Sequence, residues 1–243
     1  MKKILPLLLC IVTTIISAQS EAHLEKFSNL EPDLWLGIWD SAHSNTKLKI
    51  DTLSYDDIPK ALDFRGTVVE ALQWEDGIGD NLLIQTVTGH FNWKDYEDNG
   101  IDYMVQDKAE LYAYLFTKNK EESSYQRKWK IYDYTECFGV DWYIGFLAKA
   151  TTITDVDEDG ISEISIPYIS VCRGGMDPSS LKIIMYEDTE KYALRGATMT
   201  MCGSENAYGG DFTMSTTVQN NAIFKTFLAE RWDRTKCENN MRF

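Results

Sequence analysis

The chain has 243 residues and a formal net charge of −14, and aromatic residues make up 12% of it. Its length suits one domain with a full hydrophobic core, or at most two small domains. Its acidity argues against binding to nucleic acid, anionic lipid or lipopolysaccharide, because each of these partners requires a basic patch.

A secretory signal peptide is predicted at the N-terminus. Residues 1–3 form a basic start, residues 4–16 an almost uninterrupted apolar run, and Ala18 ends a small-residue cleavage site. The run is too short for a spanning helix, so we expect an exported chain, in the periplasm or at the cell surface, without a membrane span. Cys10 follows Leu9 inside the run, where a lipoprotein signal needs a small residue before a later cysteine, so we expect no lipid anchor.

The rest, residues 19–243, is predicted to be a single β-rich domain. Short strands separated by acidic or glycine-containing turns recur in two modules, about residues 67–134 and 145–201. This repeated plan predicts a mainly β fold of antiparallel four-stranded modules, either propeller-like or arranged as packed sheets. The predicted strands are 67–74, 81–87, 110–117 and 125–134, then 145–154, 164–171, 181–186 and 191–199, with two further candidates at 34–39 and 47–53.

The segment 155–163 has the spacing of a cation-binding loop. Acids occupy its first, third, fifth and ninth positions, and Gly160 at the sixth position permits a sharp turn. Alternate side-chain oxygens would then converge on one ion, and the carbonyl at position seven would complete the shell. The predicted cofactor is a structural Ca²⁺ ion, and its predicted ligands are Asp155, Asp157, Asp159, Ile161 and Glu163.

The loop is not an EF-hand, because the twelfth position, which requires glutamate, is Ile166. With an acid at position nine it resembles the shorter calcium loop between strands in FG-GAP and VCBS-type repeats. The turn 75–80 of the first module keeps Asp76 but has apolar residues at the other ligand positions, so it is predicted to bind no metal. A third acidic turn, 95–100, has Tyr103 at its ninth position, which argues against calcium there.

Near the C-terminus, the spacing of apolar residues changes from that of a strand to that of a helix. Phe224, Phe227, Leu228 and Trp232 recur at helical spacing after the pair 220–221, a suitable N-cap. The sequence therefore predicts a helix over residues 221–236 that packs against the sheet.

Four cysteines remain after cleavage: Cys137, Cys172, Cys202 and Cys237. An even number in an exported chain predicts two disulfides, for which three pairings exist. A zinc site is disfavoured because there is no CxxC pair and the histidines lie far from the cysteines in sequence. Because Cys172 and Cys202 flank one strand module, we expect them to pair, which leaves Cys137 to pair with Cys237.

The sequence contains none of four common catalytic or cofactor-binding motifs. It contains no G-x-S-x-G, no H-E-x-x-H, no P-loop and no dinucleotide fingerprint, which favours a non-enzymatic role. Aromatic residues adjoin acids at 39–40, at 141–143 and at Trp93 near Asp95. Such pairs occur at sugar-binding surfaces, but the simpler interpretation is that these rings fill β-sheet cores.

Beyond the calcium loop, the mature chain resembles a family of exported Gram-negative envelope proteins named for surface polysaccharide biosynthesis. The resemblance lies in residues 71–76, 81–84, 155–164, 182–185 and 191–196. It implies a role in making or exporting surface glycan, with the glycan or envelope assembly proteins as partners, and it implies no catalytic residue.

Two functions are therefore expected from different classes. The first is a calcium-stabilised, non-enzymatic accessory protein of the envelope, in surface polysaccharide biosynthesis or assembly. The alternative is an envelope hydrolase or a hydrolase (muramidase) inhibitor, since an acidic surface suits a basic enzyme.

Overall fold

The computed structural model describes residues 48–137 and 141–238. The predicted signal peptide and the candidate strand 34–39 lie outside the described residues. Five strands form the first sheet, in the order β1-β2-β3-β4-β5 with every neighbouring pair antiparallel. The strands are β1 (Asp51–Thr52), β2 (Thr67–Glu75), β3 (Asp80–Tyr96), β4 (Tyr103–Lys118) and β5 (Gln126–Glu136).

The second sheet has the order β13-β10-β9-β8-β6, and β7 extends it by pairing with β8. Its strands are also antiparallel. They are β6 (Asp141–Phe146), β7 (Thr152–Thr154), β8 (Glu163–Arg173), β9 (Ser180–Glu187), β10 (Glu190–Ala197) and β13 (Phe212–Met214); the short pair β11 (Met199–Thr200) and β12 (Tyr208–Gly209) stands apart. The predicted mainly β fold is confirmed, and the two modules are two packed sheets.

Alternating apolar residues on the facing sides of the two sheets form the main core. Each contributing strand places every second side chain toward this core, as the pleat requires. The first sheet contributes Trp74, Leu83, Leu111, Leu115 and Ile131, and the second contributes Ile144, Ile153, Ile164, Ile166 and Ile184, all buried. Both outer faces are covered too, by residues 53–64 on the first sheet and by the C-terminal helix on the second.

That helix, α2 (Ala222–Thr235), follows the short helix α1 (Thr216–Asn220) and confirms the prediction. The Asn221 side chain accepts hydrogen bonds from the backbone N–H groups of Ile223 and Phe224, each at 3.1 Å, so it is the N-cap. Phe224 and Trp232 are fully buried against the second sheet. No helix in the described ranges is long and apolar enough to span a membrane.

The prediction of one continuous strand over residues 145–154 was wrong. The chain leaves the sheet between β6, which ends at Phe146, and β7, which begins at Thr152. Opposite this gap, the carbonyl of Pro167 accepts a hydrogen bond from the N–H of Leu147 at 3.1 Å. In an antiparallel ladder, the N–H and C=O of one residue point to the same side, and proline has no N–H to offer. The ladder is therefore interrupted here.

The predicted cysteine pairing was also wrong. The structure joins Cys137 to Cys172 and Cys202 to Cys237, with Cα–Cα distances of 5.7 Å and 6.0 Å. Cys137 directly follows β5, and Cys172 stands on β8 beside the edge strand β6. Met199 on β11 forms a bridge with Cys237, which brings that cysteine close to Cys202. Cys172 and Cys202 flank one strand module in sequence, but this did not bring them together in the fold.

Candidate metal centre

The predicted calcium loop is the connection of a β-hairpin. Thr154 at the end of β7 pairs directly with Glu163 at the start of β8, so residues 155–162 form the turn between them. Gly160 has φ +88°, the left-handed conformation that glycine adopts without strain. The N–H of Ile161 donates to Asp159 Oδ1 at 2.7 Å, which fixes the second half of the loop. The contribution of the Ile161 carbonyl to an ion stays a prediction.

The hairpin brings the predicted carboxylates together. Asp155, Asp157 and Asp159 each offer an oxygen within 4.8 Å of the others. A second group at the same spacing consists of Asp157, Glu163 and Glu187. Asp157 belongs to both groups, so the acids form one continuous cluster of oxygen ligands.

Glu187 was missing from the prediction. It ends β9, and strand register places it directly opposite Glu163 on β8. The sequence carries one signal for it, namely the acidic hairpin turn 187–190, but only the register of two strands shows that this turn lies beside the loop. The structure therefore adds a carboxylate from a third strand to the candidate site.

Glu163 lies at the bottom of the cluster. Its side chain is fully buried, and it accepts hydrogen bonds from Thr154 Oγ1 at 2.9 Å and from the N–H of Val156 at 3.0 Å. Burial raises the pKa of Glu163 to about 7. Burial, and then repulsion by Asp157 and Asp159, raises the pKa of Glu187 to about 7 as well. A bound cation would reverse this penalty by stabilising both ionised carboxylates.

Two buried oxygens fit such a cation. Asp155 Oδ1 and Glu187 Oε1 are shielded from solvent and accept no hydrogen bond, although buried polar atoms ordinarily find a partner. The cluster contains carboxylate oxygens and no nitrogen or sulfur ligand. This set suits a hard cation, a class that includes Ca²⁺ and Mg²⁺.

The turn 75–80 of the first module contacts the loop and supports it through hydrogen bonds. The N–H of Gly77 donates to the carbonyl of Gly160 at 2.7 Å, and a Cβ added at Gly77 would lie 2.7 Å from that oxygen. Asp76 Oδ2 accepts from the N–H of Ser162 at 3.2 Å and from its Oγ at 2.5 Å, and Trp74 Nε1 donates to the same Oγ at 2.8 Å. The turn 75–80 and the loop 155–162, which occupy corresponding positions in the two modules, are therefore in contact. Their contact links the two sheets.

The other candidate residues lie elsewhere. Trp142 packs on the main core, and its ring is stacked on His90 with centroids 3.8 Å apart. Trp93 is half-buried on β3, and the pair 39–40 lies outside the described residues, as do His23 and His43. Within the described ranges, no acid of the turn 95–100 belongs to a cluster of metal-binding geometry.

The raised pKa values predict how stability depends on pH without calcium. The pKa of Glu163 is 4.5 in its ordinary state and about 7 in the folded protein, so the folded state binds more protons between these values. Its contribution to the free energy of unfolding should therefore fall as the pH rises from about 4.5 to about 7. Glu187 and Glu70, whose pKa values burial also raises to about 7, contribute with the same sign.

Urea denaturation of chelator-treated protein at pH 5 and pH 8 measures this effect. Glu163→Gln should stabilise the metal-free protein relative to wild type at pH 8 and much less at pH 5. The control Glu121→Gln, in an exposed turn, should leave the difference between the two pH values unchanged. A Glu163→Gln variant with the wild-type pH dependence would show that this carboxyl is not strained in the folded state.

Comparison of the chain with protein-family models, with curated proteins and with solved structures finds no match. The candidate centre is therefore characterised by its own geometry: a loop of three aspartates, a buried glutamate and a cross-strand glutamate, braced by a second turn.

Proposed function

We propose that the chain is an exported, calcium-binding accessory protein of the cell envelope that acts without catalysis. The observation that carries the calcium proposal is the convergence of two groups of acids on Asp157, one with Asp155 and Asp159 and one with Glu187 and the buried Glu163. An ion bound there would neutralise carboxylates that otherwise repel each other across a few ångströms.

The proposed role of the ion is structural. The cluster joins the β7–β8 hairpin to the end of β9, and the contacts of Asp76 and Gly77 join this hairpin to the first sheet. A cation at this junction would hold three parts of the fold in one arrangement. Its binding free energy would then contribute to the stability of the folded chain.

Two disulfides fit a chain that folds in an oxidising compartment such as the periplasm or the cell surface. Their formation agrees with the signal peptide that the sequence predicts. The role in surface polysaccharide biosynthesis or assembly rests on the resemblance described above, which names the glycan or envelope assembly proteins as partners.

A clean deletion in the source cell tests this role. Loss of the protein should alter the surface glycan, which is visible as a changed polysaccharide ladder on a gel. Wild-type protein and the control Asp56→Asn, an exposed acid remote in sequence from the loop, should restore the ladder. Asp157→Asn should restore it only to the extent that the weakened fold survives at the growth temperature. An unchanged ladder in the deletion strain would contradict the polysaccharide role.

A further inference from the structure

The β3–β4 hairpin continues beyond the sheet that it belongs to. Pairing of β2 with β3 ends at Val87, and pairing of β5 with β4 begins at Lys108. In residues 91–107, which we call the arm, β3 and β4 therefore pair only with each other within the described ranges. At about 3.4 Å per residue, the arm projects roughly 20 Å. A bulge between Val87 and His90 marks its root.

The end of the arm exposes large apolar side chains. Five of them lie within ten residues of one another, and each is between 45% and 78% exposed. Single exposed apolar residues are ordinary, but five at the end of one projecting hairpin, displayed on both of its faces, suit insertion between two walls of a partner. The five are Tyr96, Ile101, Tyr103, Met104 and Val105.

Hydrogen bonds hold this end in one conformation. Asn99 Oδ1 accepts from the N–H groups of Ile101 at 2.8 Å and Asp102 at 3.0 Å, and the N–H of Glu97 donates to the carbonyl of Asp102 at 2.9 Å. The Tyr96 and Tyr103 rings lie 5.4 Å apart. An ordered apolar end loses little conformational entropy on binding, which favours affinity.

The charge of the arm limits what it can bind. Between residues 94 and 107 there are five carboxylates and one lysine, and the ammonium of Lys94 lies 4.0 Å from the centroid of the Tyr103 ring. In the described part of the chain, no basic side chain forms an ion pair with Asp95, Glu97 or Asp98. Two such arms would repel each other, and an anionic membrane surface would repel the arm.

We propose that the arm is a docking surface that inserts into the open cleft of a basic muramidase. The carboxylates around the apolar end complement a basic rim, and a narrow projecting hairpin complements a concave site. This arrangement, with apolar anchors at the centre and charges at the edge, is the ordinary anatomy of a protein–protein interface. The inference does not depend on calcium or on the glycan role, because the arm lies at the opposite end of β3 from the turn 75–80 that contacts the loop.

Binding to lysozyme, a basic muramidase with an open cleft, tests the proposal by biolayer interferometry with the full mature chain. We expect a one-to-one complex with a Kd below about 10 μM at low ionic strength. Its affinity should fall in high salt, and a soluble chitin trisaccharide that occupies the cleft should compete with it.

Matched variants place the contact on the arm. Ile101→Ser should weaken binding about tenfold by removing an apolar anchor. Glu97→Lys should weaken it about fivefold or more, mainly through slower association. The controls are Ile223→Ser, at a half-exposed isoleucine on α2, and Glu121→Lys, in another hairpin turn; both should stay within about twofold of wild type.

Three results would overturn the proposal. The first is no binding to lysozyme at about 100 μM protein, which is a Kd weaker than any specific complex expected here. The second is equal affinity for the arm variants and their controls. The third is a different occupant of the arm. It would be shown if the chain bound neutral phosphatidylcholine vesicles or sedimented as a dimer, and if Ile101→Ser abolished that association but left lysozyme binding intact.

Discussion

Calcium should raise the melting temperature of chelator-stripped protein by about 5–10 °C. At a calcium concentration one hundred times the dissociation constant, linkage supplies about 2.7 kcal/mol, and a chain of this size gains about 2–4 °C per kcal/mol. The physical reason is the repulsion within the cluster, where Asp157 lies close both to the other loop aspartates and to Glu163 and Glu187. Differential scanning calorimetry with and without calcium measures the shift.

The variant Asp157→Asn should abolish most of this gain. Asp157 is shared by both groups of acids, so its amide would remove the charge that an ion requires from each of them. The metal-free variant should melt close to metal-free wild type or slightly above it, because one repulsive charge is lost. Asp56→Asn should retain the full calcium shift. Magnesium at the same concentration should give a smaller shift. Equal calcium shifts for wild type and Asp157→Asn would place any bound ion elsewhere.

The second large effect should come from Asp76→Ala. This carboxylate accepts hydrogen bonds from the N–H and hydroxyl of Ser162 and, through its other oxygen, from the N–H of Ile78 at 2.9 Å. Hydrogen bonds to a charged group contribute about 1.5–3 kcal/mol each, and their donors would be left unpaired. We expect the free energy of unfolding, measured by urea denaturation, to fall by about 2–4 kcal/mol.

Calcium affinity should fall about tenfold in the same variant, as is usual when a residue that orients a metal loop is removed. The matched control is Asp80→Ala in the same turn. Asp80 pairs with Lys118 at the surface, at 2.6 Å, and an exposed pair contributes little to stability. Asp80→Ala should therefore leave stability and calcium binding nearly unchanged. If the two variants behave alike, the turn 75–80 does not brace the loop.

Local patterns predicted those parts of the fold that local chemistry determines. The alternation of apolar residues placed most of the strands, and Asn221 followed by the stripe from Phe224 to Trp232 placed the helix and its N-cap. The loop acids were found because their spacing is itself a local signal. The hairpin between β7 and β8 then brought Asp155, Asp157 and Asp159 together, as that spacing predicts.

Features that depend on strand register were beyond the sequence. Glu187 joins the cluster only because it lies opposite Glu163 on the next strand. Asp76 matches one ligand position of the calcium loop in sequence, but its hydrogen bonds to Ser162, which is far away in the chain, could not be predicted. The pairing of Cys137 with Cys172 likewise depends on which strands are neighbours. No spacing rule within one segment contains that information.

The length of the arm was missed for a different reason. Predicted strands ended at residue 87 and resumed at residue 110, because the intervening sequence contains Gly89, Gly100 and the acidic turn 95–100. A two-stranded ribbon that is exposed on both faces buries little apolar surface. Its apolar residues 103–105 are consecutive, so they do not show the alternation by which half-buried strands are recognised.

Isothermal titration of calcium into chelator-stripped protein tests the central claim most directly. Wild type should show one site per chain with a dissociation constant of about 0.1–1 mM, the range of extracellular calcium modules, and the affinity should rise between pH 6 and pH 8 as Glu163 and Glu187 ionise. Asp157→Asn should show no heat of binding over the same range. Absence of binding heat in wild type at millimolar calcium, together with an unchanged melting temperature, would contradict the proposed metal centre.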